Sequence, residues 1–335
     1  MKAAWYEKQG PARDVIVIGE VPDPEPGPGE VRIRVAASGV NPGDVKKRQD
    51  TFGLGMSYSR VIPHSDGAGT IDRAGEGVSP ARVGQRVWCY AAQSYRPFGT
   101  AAEYVVVPSA QAVPLPDGVS FEQGACLGIP GITAHRAVHV AGPIAGRVVL
   151  VQGGAGAVGS CAVALARLAG ARVLATVRSE SDVAKAARAG ASEVVRVDGR
   201  STEEVVRRVR ALAPGGIDHV VEVSFDTNIA ADAELLAVAG SIAAYATGNR
   251  SPVIPFWPLV FKNNRVFFLG SDDFPAEAKA AAAEGLNAAL KAGWPGFAIG
   301  RRSPLSAIAE AHEYVEERRG SGRVVVVLSG RSSST

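Results

Sequence analysis

The sequence is poor in cysteine and has no long apolar run, and each shortage excludes a class of protein. Its three cysteines, Cys89, Cys126 and Cys161, are odd in number and far apart, so they offer neither a disulfide framework nor a C-x-x-C metal site. A reducing, cytoplasmic location is therefore favoured. No run approaches ~18 apolar residues, and the opening segment MKAAWYEKQG has no apolar core, so we expect neither a transmembrane span nor a signal peptide.

The net charge is also small, and the charged residues are evenly spread along the chain. The 36 Lys and Arg residues nearly balance the 33 Asp and Glu residues, which leaves a net charge of +3. Nucleic-acid and membrane partners favour a clustered basic face, so we expect a small-molecule partner instead. With 335 residues, of which 46% are apolar, the chain is long enough for two ordinary globular domains at ~150 residues each.

The most informative feature that the sequence does contain is a glycine-rich turn. The segment Val148–Gly170 reads VVLVQGGAGAVGSCAVALARLAG, with Gly154, Gly156 and Gly159 at the G-x-G-x-x-G spacing. Between a strand and a helix, such glycines permit a sharp turn, a close approach of backbone to a pyrophosphate and close packing of helix on strand. Because glycine is common in this chain, the motif gains its weight from the β-branched run before it and the helix-forming residues after it. We predict that the pyrophosphate is bound by Gly154, Ala155, Gly156, Ala157, Val158 and Gly159.

The pattern of elements changes near residue 121. Before it, short β-like runs are separated by Gly and Pro, which predicts a small barrel or sandwich. After it, strands alternate with helices, which predicts βαβ units and a doubly wound parallel sheet. No helix follows the last β-branched run, Val324–Leu328, so we expect the chain to return to its first domain and the cofactor to lie in a cleft between the domains. The predicted division is 1–121 with 294–330 for the β-rich domain, 122–293 for the Rossmann domain, and 331–335 for a flexible tail.

Further helices are predicted in both parts of the chain. One begins at Pro42, which suits a first helical turn. The apolar stretch from Ser120 to Gly142 is interrupted by Pro130 and Gly131, so two helices with a kinked junction are expected there. Three more helices are predicted at Ala230–Ala237, Ala276–Lys291 and Pro304–Arg319, and strands are predicted at Val148–Val151 and Arg172–Val177.

The tip of the second predicted Rossmann strand indicates which dinucleotide is bound. NAD-preferring sites usually carry a carboxylate there to hold the ribose 2′-OH, but this strand ends in Arg178 and Ser179. An arginine and a hydroxyl suit a 2′-phosphate, which favours NADPH. Alternatively, Arg178 faces solvent and Ser179 caps the next helix together with Asp182. Glu180 would repel a phosphate if it pointed inward.

Two later segments are placed where doubly wound sheets bind ligands, directly after predicted strand ends. These cofactor-binding candidates are Tyr245, Ala246 and Thr247 after one strand, and Phe268, Leu269 and Gly270 after the next. The aromatic residues Phe256, Trp257 and Phe261 could line a substrate pocket or form a packed lid.

With these features in view, the chain resembles the zeta-crystallin-like quinone oxidoreductases, which are zinc-independent members of the medium-chain dehydrogenase/reductase superfamily. The resemblance covers nearly the whole length. Besides the glycine motif, it is carried by Gly39-Val40-Asn41-Pro42-Gly43-Asp44, Ser65-Asp66-Gly67-Ala68-Gly69, Gly84-Gln85-Arg86-Val87, Ala102-Glu103-Tyr104, Gly128-Ile129-Pro130, Thr133-Ala134 and Ala311-His312-Glu313.

The resemblance implies a GroES-like catalytic domain built from both chain ends, an inserted Rossmann domain, and a homodimer, or a tetramer, paired through Val266–Leu269. It also implies that no metal is bound. Zinc-dependent relatives place a cysteine where Asn41 stands and a His-Glu pair where Ser65 and Asp66 stand, and they carry a four-cysteine lobe near the position of Cys89. His64 is one residue out of step with that pattern.

The resemblance further implies the roles of individual residues. Asn41 would orient an acceptor carbonyl or the nicotinamide ribose, unless it only caps the helix at Pro42. Asp44 would fix the loop rather than transfer protons, and Lys46 stands where many relatives have tyrosine. Thr133 would lie near the nicotinamide. Of two basic candidates for the cofactor, Arg323 and Arg318, either could be a solvated helix-end cation.

These features together predict an NADPH-dependent, zinc-independent reductase that transfers hydride to a quinone or another conjugated carbonyl. One alternative is an enone or alkenal reductase. Another is an NADPH-binding stabiliser or RNA-associated protein without significant turnover, although the chain has no basic stripe for RNA. Packing or capping roles are expected for Cys126, His135, His139 and His312.

Overall fold

The computed structural model describes residues 1–328, so the predicted tail at 331–335 lies outside the described residues. The chain divides into two compact units. Unit 1 comprises Met1–Ile129 together with the chain from Pro295 onward, and unit 2 comprises Pro130–Trp294. The first division thus falls after Ile129 rather than after residue 121, because the short helix Phe121–Gly124 packs on strands of unit 1.

The strands and helices have the following bounds. The strands are β1 (Lys2–Trp5), β2 (Val17–Glu20), β3 (Glu30–Val40), β4 (Asp66–Ala74), β5 (Arg86–Cys89), β6 (Tyr104–Pro108), β7 (Ala112–Pro114), β8 (Val148–Val151), β9 (Arg172–Val177), β10 (Glu193–Arg196), β11 (Ile217–Glu222), β12 (Leu236–Ala244), β13 (Arg265–Phe268), β14 (Ile299–Pro304) and β15 (Arg323–Val327). The α-helices are α1 (Ala12–Val15), α2 (Pro42–Arg48), α3 (Phe121–Gly124), α4 (Ile129–His139), α5 (Ala157–Leu168), α6 (Glu180–Ala189), α7 (Thr202–Leu212), α8 (Phe225–Leu235), α9 (Phe256–Val260), α10 (Ala276–Lys291) and α11 (Ile308–Glu316).

Unit 1 is built around a seven-stranded sheet with the order β14-β15-β3-β4-β5-β7, in which β6 also pairs with β3. The chain returns to this sheet after unit 2, because β15 pairs antiparallel with β3, from Val324 opposite Val40 to Val327 opposite Ala37. Alternate residues of β3 and β4, such as Ile33 and Ile71, are fully buried in the apolar core.

Unit 2 is a parallel sheet of six strands in the order β10-β9-β8-β11-β12-β13. Because the strands are parallel, all of their carboxyl ends lie at one edge, which we call the carboxyl edge. The strand order reverses direction between β8 and β11, the position at which doubly wound sheets bind ligands. The predicted α/β fold class is confirmed.

The structure differs from the predicted elements in several places. Helix α8 begins at Phe225, five residues before the predicted Ala230, and α11 is shorter than predicted because a 3₁₀ turn, Leu305–Ala307, precedes it. Pro130 and Gly131 lie in the first turn of α4 rather than between two helices, where proline costs no hydrogen bond. Strand β14 and helix α9 have no counterpart in the predictions. Among the described residues, no helix is long and apolar enough to span a membrane.

Candidate active site

The glycine-rich turn lies at the carboxyl edge of unit 2, between β8 and α5. Its residue with a left-handed backbone is Gly153, with φ of +69°, so the sharp turn occurs one residue before the predicted Gly154. The motif glycines instead allow atoms of the neighbouring strand and of the turn to lie close to their Cα atoms. A Cβ at Gly154 would lie 2.7 Å from Ala175 Cβ, and one at Gly159 would lie 2.2 Å from the Gly153 carbonyl oxygen. These contacts bring the helix against the turn, as predicted for the third glycine.

The start of α5 is suited to binding an anion. Gly156 occupies its N-cap position and has no side chain to accept hydrogen bonds from the first turn. The backbone N–H groups of Ala157, Val158 and Gly159 are therefore left to a ligand, and the helix dipole adds partial positive charge there. A Cβ at Gly156 would lie 3.3 Å from the Gly153 oxygen. The residues present fit a pyrophosphate.

The tip of β9 presents Arg178 to solvent beside this turn. Arg178 makes no salt bridge within the described residues, unlike Arg196 on the neighbouring strand, which pairs with Glu180 at 2.8 Å. That pairing holds Glu180, the residue that would repel a phosphate. Ser179 is at the N-cap position of α6, where its Oγ lies 3.0 Å from the Ser181 hydroxyl.

The remaining candidates of unit 2 also follow strands at the carboxyl edge. Tyr245, Ala246 and Thr247 follow β12, and the Thr247 hydroxyl donates to Asp226 at 3.1 Å. Phe268 ends β13 and packs edge-on against Phe225, while Leu269 and Gly270 follow it. Thr133 is buried on α4.

In unit 1, the structure brings together three of the predicted residues, Asn41, Asp44 and Arg323. The Asp44 carboxylate accepts a hydrogen bond from the Asn41 backbone N–H at 2.7 Å and so caps α2. The Asn41 side chain does not make the cap. Its Nδ2 donates to Asp66 at 2.7 Å, and its Oδ1 accepts from Arg323 Nη2 at 2.7 Å. The amide orientation is therefore fixed from both sides.

Two residues of this cluster were not predicted, Asp66 and Cys126. Both Asp66 carboxylate oxygens accept from the Ile129 N–H at 2.9 Å, and a Cβ at Gly128 would lie 2.0 Å from Asp66 Oδ1. The Cys126 thiol contacts Arg323. Asp66 stands in one of the motifs that carry the resemblance, but the sequence gives no sign that it holds Asn41. We call Asn41, Asp44, Asp66, Cys126 and Arg323 the polar cluster.

Burial shifts the ionisation of the polar cluster. Loss of solvent raises the pKa of Asp44 to about 7, against the lowering effect of the Asn41 N–H. Burial also raises the pKa of the Cys126 thiol to about 11, although Arg323 opposes the shift. The thiol is therefore neutral and the guanidinium is a fixed cation.

The polar cluster does not fit zinc. The Asn41 amide presents N–H donors to Asp66, and a guanidinium stands beside the amide oxygen, whereas zinc requires free Cys, His or carboxylate ligands. Within residues 1–328, no three His, Cys, Asp or Glu side chains form a group that could hold a metal ion.

Other predicted residues lie apart from the polar cluster. Lys46 is on α2, with its Nζ over the Phe52 ring at 5.9 Å, and Arg318 is exposed just after α11. His312, predicted to pack or cap, is buried against His64 with their Nε2 atoms 2.9 Å apart. His135 and His139 are ring neighbours on α4.

Both units match known protein families. Residues 27–117 match the alcohol dehydrogenase GroES-like domain, and residues 157–283 match the zinc-binding dehydrogenase family. A quinone oxidoreductase of Rattus norvegicus is 31% identical over 92% of this chain and 91% of its own length. The chain belongs to the quinone oxidoreductase family. It is thus an oxidoreductase of the medium-chain superfamily, as the motifs predicted.

Other quinone oxidoreductases and solved structures agree with this assignment. The quinone oxidoreductase of Homo sapiens is 30% identical over 89% of both chains. A mycobacterial quinone oxidoreductase superimposes with a TM-score of 0.85 at 29% identity, covering 98% of this chain and 99% of that one. The mycobacterial protein Rv1454c, in complex with NADPH, gives a TM-score of 0.84 at 28% identity and covers 98% and 100%.

The close approach at Gly159 can be tested without any ligand. Gly159→Ala should lower the free energy of unfolding by ~1–3 kcal/mol, because its Cβ would force the helix away from the Gly153 carbonyl. Gly215→Ala is the matched control, since a Cβ there meets open space, and it should change stability by less than ~1 kcal/mol. Urea denaturation of the two variants measures the difference. Equal stabilities would refute the packing argument.

Proposed function

We propose that the protein reduces a quinone, or another conjugated carbonyl, with hydride from NADPH. The observation that carries the proposal is the uncapped start of α5 at the switch point of the sheet, with Arg178 exposed at the neighbouring strand tip. Membership of the quinone oxidoreductase family and the NADPH complex of a mycobacterial neighbour support it.

The residues of unit 2 would bind and orient the cofactor. The N–H groups of Ala157, Val158 and Gly159 would hold the pyrophosphate, and Arg178 would pair with the 2′-phosphate through a charge-assisted contact. NADPH supplies the hydride when bound. The apolar residues after β13 would cover the nicotinamide and exclude water.

The residues of unit 1 would orient the acceptor. Asn41 keeps one side-chain N–H beyond the one that Asp66 accepts, and that N–H would donate to a carbonyl or ribose oxygen. Arg323 polarises the amide through its contact with Oδ1. Because this donor is weaker than a Lewis acid, it suits an acceptor that is already electron-poor better than an alcohol that must be held as an alkoxide.

We also propose that the protein forms a homodimer through unit 2. Strand β13 ends the sheet order, so its outer edge is free to pair. Just before it, Trp257 packs edge-on against Phe256 and stacks on Phe261, while Phe256, Trp257 and Phe261 are 62%, 62% and 78% exposed. Exposed aromatic patches of this kind mark interaction surfaces, and pairing through β13 would cover this one.

The central test follows the loss of NADPH absorbance with ortho- and para-quinones, enones and alkenals as acceptors. Quinone-dependent oxidation of NADPH should occur and should persist in the presence of a chelator. Turnover of enones or alkenals with little quinone activity would favour a double-bond reductase. Tight NADPH binding without turnover of any acceptor would favour a stabilising or RNA-associated role, and loss of activity on chelation would refute the metal-free assignment.

Cofactor preference can be tested at Arg178. Arg178→Ala should raise the KM for NADPH by about 10-fold or more, because a charge-assisted hydrogen bond to the phosphate is lost. The KM for NADH should change by less than about 2-fold, since NADH has no 2′-phosphate. Arg188→Ala, at the far end of the helix α6 that follows Arg178, is the control and should leave both constants unchanged. Equal changes for the two cofactors would contradict the assignment.

The dimer can be tested by charging the aromatic patch. The double variant Trp257→Asp/Phe261→Asp should sediment as a monomer, because the carboxylates would have to be buried in the interface. Leu168→Asp, at a similarly exposed apolar position on α5, should leave the oligomeric state unchanged. A wild-type protein that is monomeric at micromolar concentration would overturn the proposal.

A further inference from the structure

Unit 2 buries two carboxyl groups side by side, at a place that the proposed function does not use. Glu222 is the last residue of β11 and Asp232 lies on α8; both are fully buried, and their side chains are within hydrogen-bond reach of each other. We call them the acid pair. Two carboxylates in contact cannot both be ionised away from water without a large cost.

Glu222 is surrounded by donors. Its Oε1 accepts from the Ser224 backbone N–H, and the Asn228 side-chain amide donates to both of its oxygens at 3.1 Å. The backbone of Val223 also donates to it. A carboxylate can accept all of these hydrogen bonds, whereas a protonated acid would direct its own O–H against one of the donors.

Asp232 has a different environment. Its Oδ1 accepts from Gln152 Nε2 at 2.8 Å. Its Oδ2 is fully buried and has no donor among the described residues. An atom of this kind is satisfied if it carries a proton and donates it to Glu222, the neighbouring acceptor. The hydrogen bonds thus place the charge on Glu222 and the proton on Asp232.

From Asp232, hydrogen bonds of fixed direction lead to the glycine-rich turn. Because Gln152 uses its Nε2 on Asp232, its Oε1 is left to accept from the Thr176 hydroxyl at 2.6 Å. The Thr176 oxygen in turn accepts from the Gly153 N–H at 3.2 Å. Gly153 is the residue whose left-handed backbone makes the turn.

We propose that Asp232, held as a neutral acid by Glu222, is a positioning residue for the dinucleotide site: it anchors the chain Gln152, Thr176 and Gly153 that fixes the glycine-rich turn. Asp232 is joined to the turn through the hydrogen bonds of Gln152 and Thr176, so we expect it to act on the ligand through them and not by direct contact. The part of this proposal that concerns NADPH depends on the proposed function.

Within residues 1–328, no cation is among the largest influences on the pKa of either acid. The interactions that shift the pKa of either acid come from its partner, from Gln152 on the β8 side and from Ser224 and Asn228 on the α8 side, with burial as the largest cause. The β12 side presents Tyr245, whose pKa is raised by burial and by Glu222, so it is a neutral phenol. The pKa of Asp232 lies well above its ordinary value.

The first test measures stability against pH and needs no cofactor. Asp232→Asn mimics the neutral acid, with Oδ1 facing Gln152 and Nδ2 donating to Glu222, so it should fold to the same structure as the wild type. The wild-type pair holds one proton that the unfolded chain releases. The ratio of the folding equilibrium constants, Asp232→Asn over wild type, should therefore rise with pH above about 4, where an aspartate of the unfolded chain ionises, by up to about tenfold per pH unit while the folded pair keeps its proton.

Two further variants test where the proton resides. Glu222→Gln should reduce the folding equilibrium constant about tenfold or more at pH 7, since its NH₂ group would face the Asn228 or Ser224 donors. Glu234→Gln is the control, because Glu234 is an exposed residue of α8, the helix of Asp232, and is ion-paired with Arg210. The stability of this variant should show no pH-dependent difference from that of the wild type. The proton assignment would be overturned if Glu222→Gln left the folding equilibrium constant unchanged while Asp232→Asn reduced it. It would also be overturned if the ratio of the folding equilibrium constants of Asp232→Asn and the wild type did not change with pH.

The second test measures NADPH binding. Asp232→Ala releases Gln152 and should raise the Kd and the KM for NADPH about 10-fold, while kcat at saturating NADPH changes less than about 2-fold. Asp232→Asn should restore wild-type binding. If Asp232→Ala binds NADPH normally, the positioning role is refuted. If the wild type binds no dinucleotide, the proposed function fails, but the pH-dependent stability still decides the state of the acid pair.

Discussion

Removing a carboxylate from water costs several kcal/mol unless hydrogen-bond donors, a cation or a proton replace the lost hydration. Both units of this protein bury carboxyl groups beside their candidate sites and surround them with such compensating groups. In unit 1, Asp66 receives the N–H groups of Ile129 and Asn41, and the Arg323 cation lies on the other side of the Asn41 amide. In unit 2, Glu222 receives backbone and amide donors. There the neighbouring carboxyl of Asp232 takes a proton in place of a cation.

These compensating groups also determine the geometry of the sites. An asparagine amide can be rotated by half a turn at little cost in solution, but Asn41 has Asp66 on one side and Arg323 on the other, so its donor and acceptor ends cannot exchange. The same holds for Gln152, which is oriented by Asp232 and Thr176. Buried electrostatics therefore supply preorganisation of the kind that the proposed binding and hydride transfer would require.

Much of unit 2 could be predicted from the sequence, because its signals are local. Strands Val148–Val151 and Arg172–Val177 and helix Ala276–Lys291 match the predictions at both ends, since each is bounded by residues that end regular structure. The segments predicted to bind the cofactor follow strands of one parallel sheet, so their common edge was implied by the fold class. Helix α9 was missed because its short Pro-containing aromatic run has no periodicity, and β14 because its Gly and paired Arg residues obscure alternation.

The polar networks could not be predicted, because their members are far apart in the chain. Arg323 lies 282 residues from Asn41, and Asp232 lies 80 residues from Gln152. Neither a spacing nor a periodicity connects such residues; only the packed fold brings them within 3 Å. The resemblance pointed to Asn41 and Arg323 separately and included Asp66 in one of its motifs, but it gave no sign that Asp66 orients the Asn41 amide.

Buried ionisable groups also limit the pH range of the fold from both sides. Burial lowers the pKa of His64 to about 3 and that of His312 well below its ordinary value. Unfolding therefore takes up protons at these histidines once the pH falls below about 6.5, and acid removes stability. The acid pair acts in the opposite direction, because unfolding releases its proton and stability falls as the pH rises. The histidines therefore favour the fold at higher pH and the acid pair favours it at lower pH, while the same buried contacts hold the Asn41 and Gln152 amides in the orientations that the proposed sites require.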